Sequence, residues 1–191
     1  MKVYFTASAR GKSSYKANYK RIYEVIEELG HKNLDDLILK VDPGKLYLGD
    51  EQAQVDLYKN TLDFIKEADI VVLEVSLPSL SMGYVMDRAL EQGKPVVILH
   101  LEGSNPYFAG GIQDEKLQVL SYTPENVKRT LKAALKDAKE QMDVRFNFFI
   151  SPKIGAYLDW ISKTRKTPRA VYLRRLIEDD MGKNKKYKER A

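Results

Sequence analysis

The sequence predicts an α/β protein, and three of its features lead to that prediction. Short apolar runs such as Lys2–Ala7 and Ile70–Leu73 alternate with amphipathic helical patterns up to residue 100. These runs are too short for helices and apolar on both faces, as expected of strands inside a parallel sheet. From residue 143 the pattern changes to one strand and two helices. We therefore expect a Rossmann-like three-layer sandwich with a parallel sheet, followed by a small strand-helix-helix module.

Composition and charge narrow the class of protein. The 191 residues include no cysteine, which excludes disulfides and thiolate metal sites, and we expect no metal or other cofactor. The Met1-Lys2 start leads directly into an apolar strand, and no run approaches the ~20 apolar residues of a membrane span. We expect a soluble cytoplasmic protein without membrane contact. The net charge is +5, and residues 183–191 form a basic tail, either solvated or in contact with nucleic acid.

The first strand, Lys2–Ala7, leads into a polar loop at Ser8–Ser14 and then a helix that ends at Gly30-His31. Such a loop can hold a phosphate, because its amides and hydroxyls donate hydrogen bonds and Arg10 can add a charged contact. Its spacing matches neither the Walker nor the dinucleotide pattern, so an ordinary βα turn with a solvated arginine stays open.

The next stretch, Asn33–Glu51, is compatible with either a short strand or a helical turn, with a turn signal at Asp42–Lys45. Residues Gln52–Glu67 return to helical spacing.

The central unit runs from Ala68 to His100 as strand, loop, helix and strand. The loop Glu74–Gly83 follows the first of these strands, and the helix Tyr84–Gln92 is ended by Gly93. Ligands of open α/β sheets bind at the carboxyl ends of the strands. Three small residues of this loop lie where an anionic ligand would be held: Ser79, Ser81 and Gly83.

The remainder of the first domain consists of a loop, a strand and a helix. The loop Glu102–Asp114 is long enough for a lid or a partner contact, and equally compatible with a plain surface excursion. A strand follows at Lys116–Ser121, and Pro124 opens a helix that continues to Met142. The first domain is therefore expected to span residues 1–142.

Together, several of these stretches resemble the nucleoside 2-deoxyribosyltransferase superfamily: KVYF and SARG near the start, then ADIVVLEV, PSL and GY. The resemblance covers roughly the first 140 residues and is closest to the 2′-deoxynucleoside 5′-monophosphate N-glycosidases. It implies a nucleoside 5′-monophosphate ligand. The residues that it implies as phosphate contacts are Ser8, Arg10, Gly11 and Ser79.

The reactive positions depart from this family. Its enzymes attack the anomeric carbon with a glutamate in a Gly-x-Gly-x-Glu-Leu-Gly pattern. The matching stretch here is SMGYVMD, with Val85 at the nucleophile position, and the family's second acidic residue falls on Thr61. The nearby carboxylates are Glu74, at a strand end, and Asp87, which the helical repeat rotates about 200° away from Val85. A degenerate active site is the main hypothesis, with a relocated carboxylate as the alternative.

Residues 143–182 form the second predicted unit. Val144–Ile150 has the alternation of a strand, Ser151 and Pro152 open one helix, and Thr167 and Pro168 open the next. One strand and two helices cannot bury their apolar faces alone, so this unit implies a homodimer or a higher homo-oligomer.

Strand, helix, turn and helix in this order resemble the ribbon-helix-helix family, whose paired strands enter the DNA major groove. The resemblance implies that Arg145, Asn147 and Phe149 face the bases and that Thr167 and Arg169 lie against phosphate. A module that only dimerises the chain is the open alternative.

These observations lead to a hypothesis of a dimeric nucleotide sensor that regulates a DNA-binding module. Its expected partners are a nucleoside 5′-monophosphate and duplex DNA. The alternative is an active nucleotide N-glycosidase or deoxyribosyltransferase. A third possibility is an interaction protein with neither activity.

Overall fold

The computed structural model describes residues 1–42, 44, 51–142, 148–165 and 167–184. The chain divides into two compact units, Met1–Val144 and Arg145–Ala191.

The first unit is built on a five-stranded parallel sheet, as the sequence predicts. Its strands are β1 (Lys2–Ala7), β2 (Lys32–Asn33), β3 (Ile70–Glu74), β4 (Val96–Leu101) and β5 (Leu117–Tyr122). Their order in the sheet is β2-β1-β3-β4-β5, and every neighbouring pair is parallel. The central strand β3 is buried along its whole length, which explains its continuous apolar run.

Helices cover both faces of this sheet. They are α1 (Lys12–Glu28), α2 (Leu37–Lys40), α3 (Glu51–Glu67), α4 (Leu80–Glu91), α5 (Tyr107–Gly110) and α6 (Val127–Glu140), and a 3₁₀ turn at Ala9–Gly11 precedes α1. Alternate residues of β3 belong to two different cores. Ile70 and Val72 pack with apolar side chains of α1 and α6, whereas Val71 and Leu73 pack with those of α3 and α4. The three-layer architecture is therefore confirmed.

Several boundaries differ from those that the sequence predicts. Helix α4 begins at Leu80 rather than Tyr84, so Ser81 and Gly83 lie in its first turn and not in a loop. Ser79 is extended at the N-cap position, and the helix then continues from Leu80 to Glu91 through Gly83. Gly93 has a φ of +70°, which confirms it as the glycine that ends this helix.

In the ambiguous stretch after α1, the apolar residues form a helical turn, whereas the strand lies just before them. The two-residue strand β2 pairs with β1, and the one-turn helix α2 follows. Residues 43 and 45–50, which include half of the predicted turn, lie outside the described residues. Further along, the loop after β4 contains the short helix α5, and α6 begins three residues after the predicted Pro124.

The second unit contains two helices, α7 (Pro152–Arg165) and α8 (Arg169–Lys183), as predicted. Ser151 caps the first of them, because its Oγ accepts the N–H of Ile154 at 3.4 Å. Thr167 does not cap the second: Pro168 holds the N-cap position, and the Thr167 hydroxyl donates to the Arg165 carbonyl oxygen at 3.0 Å.

The strand predicted for residues 144–150 stays a prediction over most of its length. Residues 144–147 lie outside the described part, and residues 148–150 are in neither a strand nor a helix. Most of the basic tail, residues 185–191, also lies outside it. Across the described residues, every helix is too short or too polar to cross a bilayer.

A buried carboxyl group ties the carboxyl end of β3 to its surroundings. Glu74 is fully buried, and its Oε1 accepts hydrogen bonds from the Ser76 hydroxyl and from the Tyr122 hydroxyl, the latter at 3.2 Å. The other oxygen, Oε2, has no hydrogen-bond partner among the described residues. Burial therefore outweighs the hydrogen bonds and raises the pKa of Glu74 above its ordinary value.

This raised pKa predicts a pH-dependent contribution to stability. As the pH rises above the ordinary value of 4.5, the unfolded chain ionises at Glu74 before the folded chain does, so the free energy of unfolding falls. The side chain of Glu74→Gln stays neutral, so this dependence should be lost. We expect the free energy of unfolding of Glu74→Gln to change less between about pH 4 and about pH 8 than that of the native chain. Urea denaturation at a series of pH values measures it.

The matched control is Asp87→Asn, because Asp87 is an exposed carboxylate on α4. The free energy of unfolding of Asp87→Asn should change with pH in parallel with that of the native chain. A Glu74→Gln profile that also stays parallel would show that the buried carboxyl does not titrate as described.

Candidate functional site

A cavity of about 520 Å³ opens at the carboxyl end of β1. Its walls come from the end of β1, from residues 35–41, from α3 and from the first two turns of α4. Its lining is largely apolar and includes a small number of hydroxyl groups. The apolar residues include Leu37, Ile38, Leu57, Met82 and Val85. Volume and lining are those of a small-molecule site.

One end of the cavity lies at the start of two helices. Ser8, between β1 and the 3₁₀ turn, lines it, as do Ser79 and Ser81 at the start of α4. Ser8 is 2% exposed, and its Oγ has no hydrogen-bond partner among the described residues. A buried hydroxyl without a partner beside a cavity is a group that a ligand can satisfy. The N–H groups of helix starts favour a negatively charged ligand at this end.

Three other residues expected at this end are not among those that line the cavity: Arg10, Gly11 and Gly83. Arg10 and Gly83 are exposed, whereas Gly11 is buried. Gly11 has a packing role, because a Cβ there would overlap the hydroxyl of Tyr19 and lie 3.2 Å from the ring of Tyr15. Gly83 lies within α4, where nothing would come within 4 Å of a Cβ.

Val85 and Thr61, where the sequence departs from the family that it resembles, both line the cavity. Val85 on α4 is 4% exposed, and Thr61 is on α3. Neither side chain can carry a negative charge. The wall that faces the ligand from these two helices is therefore neutral at both positions.

Asp35 is the single carboxylate among the described residues that line the cavity. It follows β2, and its Oδ1 accepts the backbone N–H of Leu37 at 2.9 Å, which holds the carboxylate in place. Burial raises the pKa of Asp35 above its ordinary value. A carboxylate with a raised pKa in a cavity is a candidate for accepting or donating a proton.

Tyrosines supply most of the remaining polar groups. Tyr4 on β1 is buried, its ring stacks on Phe64 at a centroid distance of 5.3 Å, and burial raises its pKa to about 12. Tyr58 on α3 and Tyr84 on α4 share a hydrogen bond of 2.9 Å between their hydroxyls. All three tyrosines line the cavity.

Glu74 and Asp87, the carboxylates expected from the sequence as replacements, are not among the lining residues. Glu74 lies on the face of the sheet opposite the cavity. Its side chain points to the same side of β3 as those of Ile70 and Val72, and there it accepts a hydrogen bond from the Tyr122 hydroxyl. Asp87 is exposed on α4.

The residues expected to contact DNA are described only in part. Arg145 and Asn147 lie outside the described residues, and Phe149 is fully exposed. The guanidinium of Arg169 forms an ion pair with Asp159 of α7. DNA binding and dimerisation of this unit stay predictions.

Comparison with known proteins points to nucleotide hydrolases. The chain is 32% identical over 137 residues to the 5-hydroxymethyl-dUMP N-hydrolase of Rattus norvegicus, an alignment that covers 68% of this chain and 81% of that protein. It is 29% identical over 147 residues to a protein of Thermofilum pendens provisionally named 2′-deoxynucleoside 5′-phosphate N-hydrolase 1, with 75% and 93% covered. No family model matches the chain.

Among solved structures, the chain is similar to a CMP N-glycosidase from Clostridium botulinum. The TM-score is 0.51 at 19% sequence identity, and the match covers 70% of this chain and 98% of that protein. At this identity the similarity concerns the fold, and it supports the Rossmann-like assignment of the first unit.

The cavity residues that escape prediction from the sequence include Asp35, Tyr58 and Tyr84. Asp35 is in a stretch without helical or strand periodicity, so no pattern indicated where its side chain lies. A signal existed for Tyr58, because it is three residues before Thr61 and therefore shares its face of α3.

The tight packing around Gly11 predicts a cost for any side chain at that position. Gly11→Ala must displace the hydroxyl of Tyr19, a fully buried residue whose hydroxyl also donates to the Ser8 carbonyl oxygen at 3.3 Å. We expect a loss of about 1–3 kcal/mol in the free energy of unfolding, measured by chemical denaturation.

Gly83→Ala is the matched control. With open space around it in a helix, the alanine should raise the free energy of unfolding by up to about 1 kcal/mol. Equal stability of Gly11→Ala and the native chain would contradict the packing described for Gly11.

Proposed function

Because the chain belongs to the family of nucleotide N-hydrolases that includes the 5-hydroxymethyl-dUMP N-hydrolases, we propose that it binds a nucleoside 5′-monophosphate and hydrolyses its N-glycosidic bond. The observation that carries the chemistry is Asp35, the one carboxylate on the cavity wall in the described part of the chain. The observation that carries the ligand class is the buried Ser8 hydroxyl at the end where two helices start.

In this proposal the 5′-phosphate lies at the Ser8 end of the cavity. Ser8, Ser79 and Ser81 donate hydroxyl hydrogen bonds to phosphate oxygens, and the N–H groups at the starts of the 3₁₀ turn and of α4 add to them. Such a site favours a doubly charged monophosphate over a neutral nucleoside. Arg10 does not line the cavity, so its positive charge contributes only at longer range to phosphate binding at the Ser8 end.

Asp35 acts on the water that attacks the sugar. The oxygen of this water bonds to C1′ while the C1′–N bond breaks and its electron pair passes to the base. The proton of the water passes to the Asp35 carboxylate, which then returns it to the departing base. The Asp35 carboxyl, whose pKa is raised, can both accept the proton from water and donate it to the base. The two acidic residues of the family that the sequence resembles are then not required.

A second candidate function is binding of the nucleotide without cleavage, as in the sensor hypothesis. Val85 favours it, because the position that the resemblance gives to the nucleophile is apolar. Regulation of the second unit would then require that the ligand bind two arrangements of a dimer differently.

The proposed hydrolysis predicts the effect of Asp35→Asn. The amide cannot accept the proton, so base release should fall by at least about 100-fold, whereas nucleotide binding persists. Asp36→Asn, at the neighbouring exposed carboxylate that pairs with Lys40, should retain activity. Chromatography of free base from each of the four deoxynucleoside 5′-monophosphates measures both variants. In the native chain, kcat/KM should fall on the acid side at a pH above the ordinary aspartate value of 3.8.

The same assay decides between the two functions. Base release that survives in Asp35→Asn would contradict the role of that residue. Binding without base release in the native chain, together with base release in Val85→Glu, would establish the second candidate, because the substitution puts a carboxylate where the resembled family has one.

A further inference from the structure

We propose that Tyr58 and Tyr84 form the subsite for the nucleobase and hold it by its ring face. This inference rests on the proposed function, since it concerns the same cavity and the same class of ligand. It adds the way in which the nucleobase is bound, on which the family resemblance and the relatives' names give no information.

The two tyrosines form a fixed aromatic pair at the cavity wall. Their ring centroids are 5.9 Å apart, the planes are inclined by 40°, and the hydroxyls are joined at 2.9 Å, which links α3 to α4. Arg88, one turn after Tyr84, donates from Nε to the Tyr84 hydroxyl at 3.0 Å, and its guanidinium lies 5.2 Å from the ring centroid. Rings held in advance in this way lose little conformational entropy when a flat ligand stacks on them.

Core packing does not account for Tyr58. Its side chain is 49% exposed although its neighbours on the same face of α3 line the cavity. A half-exposed aromatic residue beside an apolar cavity offers a flat surface that a ligand can cover. Phe64, one turn beyond Thr61 on α3, shows the contrast, because it is half-buried and stacked on Tyr4.

The separation from the proposed phosphate end suits a base. Tyr84 is five residues after Ser79 along the start of α4, a rise of about 7.5 Å. In a nucleoside monophosphate, the sugar and its 5′ carbon separate the phosphate from the base by a comparable distance. A nucleotide with its phosphate at Ser79 therefore brings its base to the level of Tyr84.

The chemistry of the lining favours recognition of the face over recognition of the edge. Bidentate contacts to base edges come mainly from amide and basic side chains, and the cavity-lining residues within the described ranges include no Asn, Gln, His, Lys or Arg. Asp35 can accept a hydrogen bond from a base amino group, but it cannot make such a bidentate contact by itself. Stacking on an aromatic ring tolerates every base, because each base has a π-face. The subsite should therefore bind the four bases with affinities within about tenfold of one another.

The test measures binding by isothermal titration calorimetry of the full chain. Every chain in this test also carries Asp35→Asn, which should keep nucleotide binding and stop base release. The probes are the four deoxynucleoside 5′-monophosphates and 2-deoxyribose 5-phosphate, which lacks a base, and chromatography of the recovered ligand checks that it is intact. We expect Tyr58→Ala and Tyr84→Ala each to weaken binding of the monophosphates by roughly tenfold and to leave the affinity for 2-deoxyribose 5-phosphate unchanged. Tyr58→Phe, which keeps the ring and loses the hydroxyl, should bind within about threefold of the native chain.

Tyr107→Ala is the control for the loss of an exposed tyrosine elsewhere, because Tyr107 is 83% exposed and does not line the cavity. Monophosphate binding that is unchanged in both alanine variants would overturn the subsite and leave the proposed function standing. An equal loss of both kinds of probe would overturn it too, since the tyrosines would then act on the fold. If the native chain binds none of the monophosphates, the proposed function fails and the subsite with it.

Discussion

The parallel pairing of β1 with β3 is the constraint on which the site depends. The register sets Ala7 beside Glu74, so both strands end at one edge of the sheet and the chain leaves them toward α1 and α4. Ser8 and Ser79 thereby reach the same cavity although they are far apart in the sequence. The alternation of side chains along β3 has an equally direct consequence: it sends Glu74 to the face opposite the cavity and gives it a structural role.

The fold was largely predictable because its signals are local. Apolar β-branched runs gave the strands, helical spacing gave the main helices, and Gly93 gave the end of α4. The start of α4 was less predictable, because the small hydroxyl residues at Ser79–Ser81 suit a loop and a first helical turn equally well. Periodicity defines elements reliably only where an apolar face repeats, and the first turn of α4 has too few such residues.

The position of Ser8 and Ser79 on the cavity wall was predictable, and that of the other lining residues much less so. Ser8 and Ser79 stand next to strand ends, and the topology of an open parallel sheet brings such positions together. Asp35 follows a two-residue edge strand, and its place on the cavity wall depends on how α2 packs. Glu74 was misassigned as a possible nucleophile, because two apolar faces in the sequence of β3 give no indication of which one borders a cavity.

In the proposed function, a cavity wall with a neutral Val85 and, among its described residues, one carboxylate separates binding from chemistry. The hydroxyls and helix starts at one end need no ionisable side chain to hold a phosphate, whereas the proposed hydrolysis depends on Asp35. The same cavity can therefore serve an N-hydrolase or a binding protein, and a change at one residue would convert the first into the second.

The most direct test compares the affinity of the full chain for a deoxynucleoside and for its 5′-monophosphate, in the native protein and in Ser8→Ala. The account predicts that the native chain binds the monophosphate at least about tenfold more tightly and that Ser8→Ala removes most of this difference. Equal affinity for the two ligands in the native chain, or a preference that Ser8→Ala leaves intact, would contradict it.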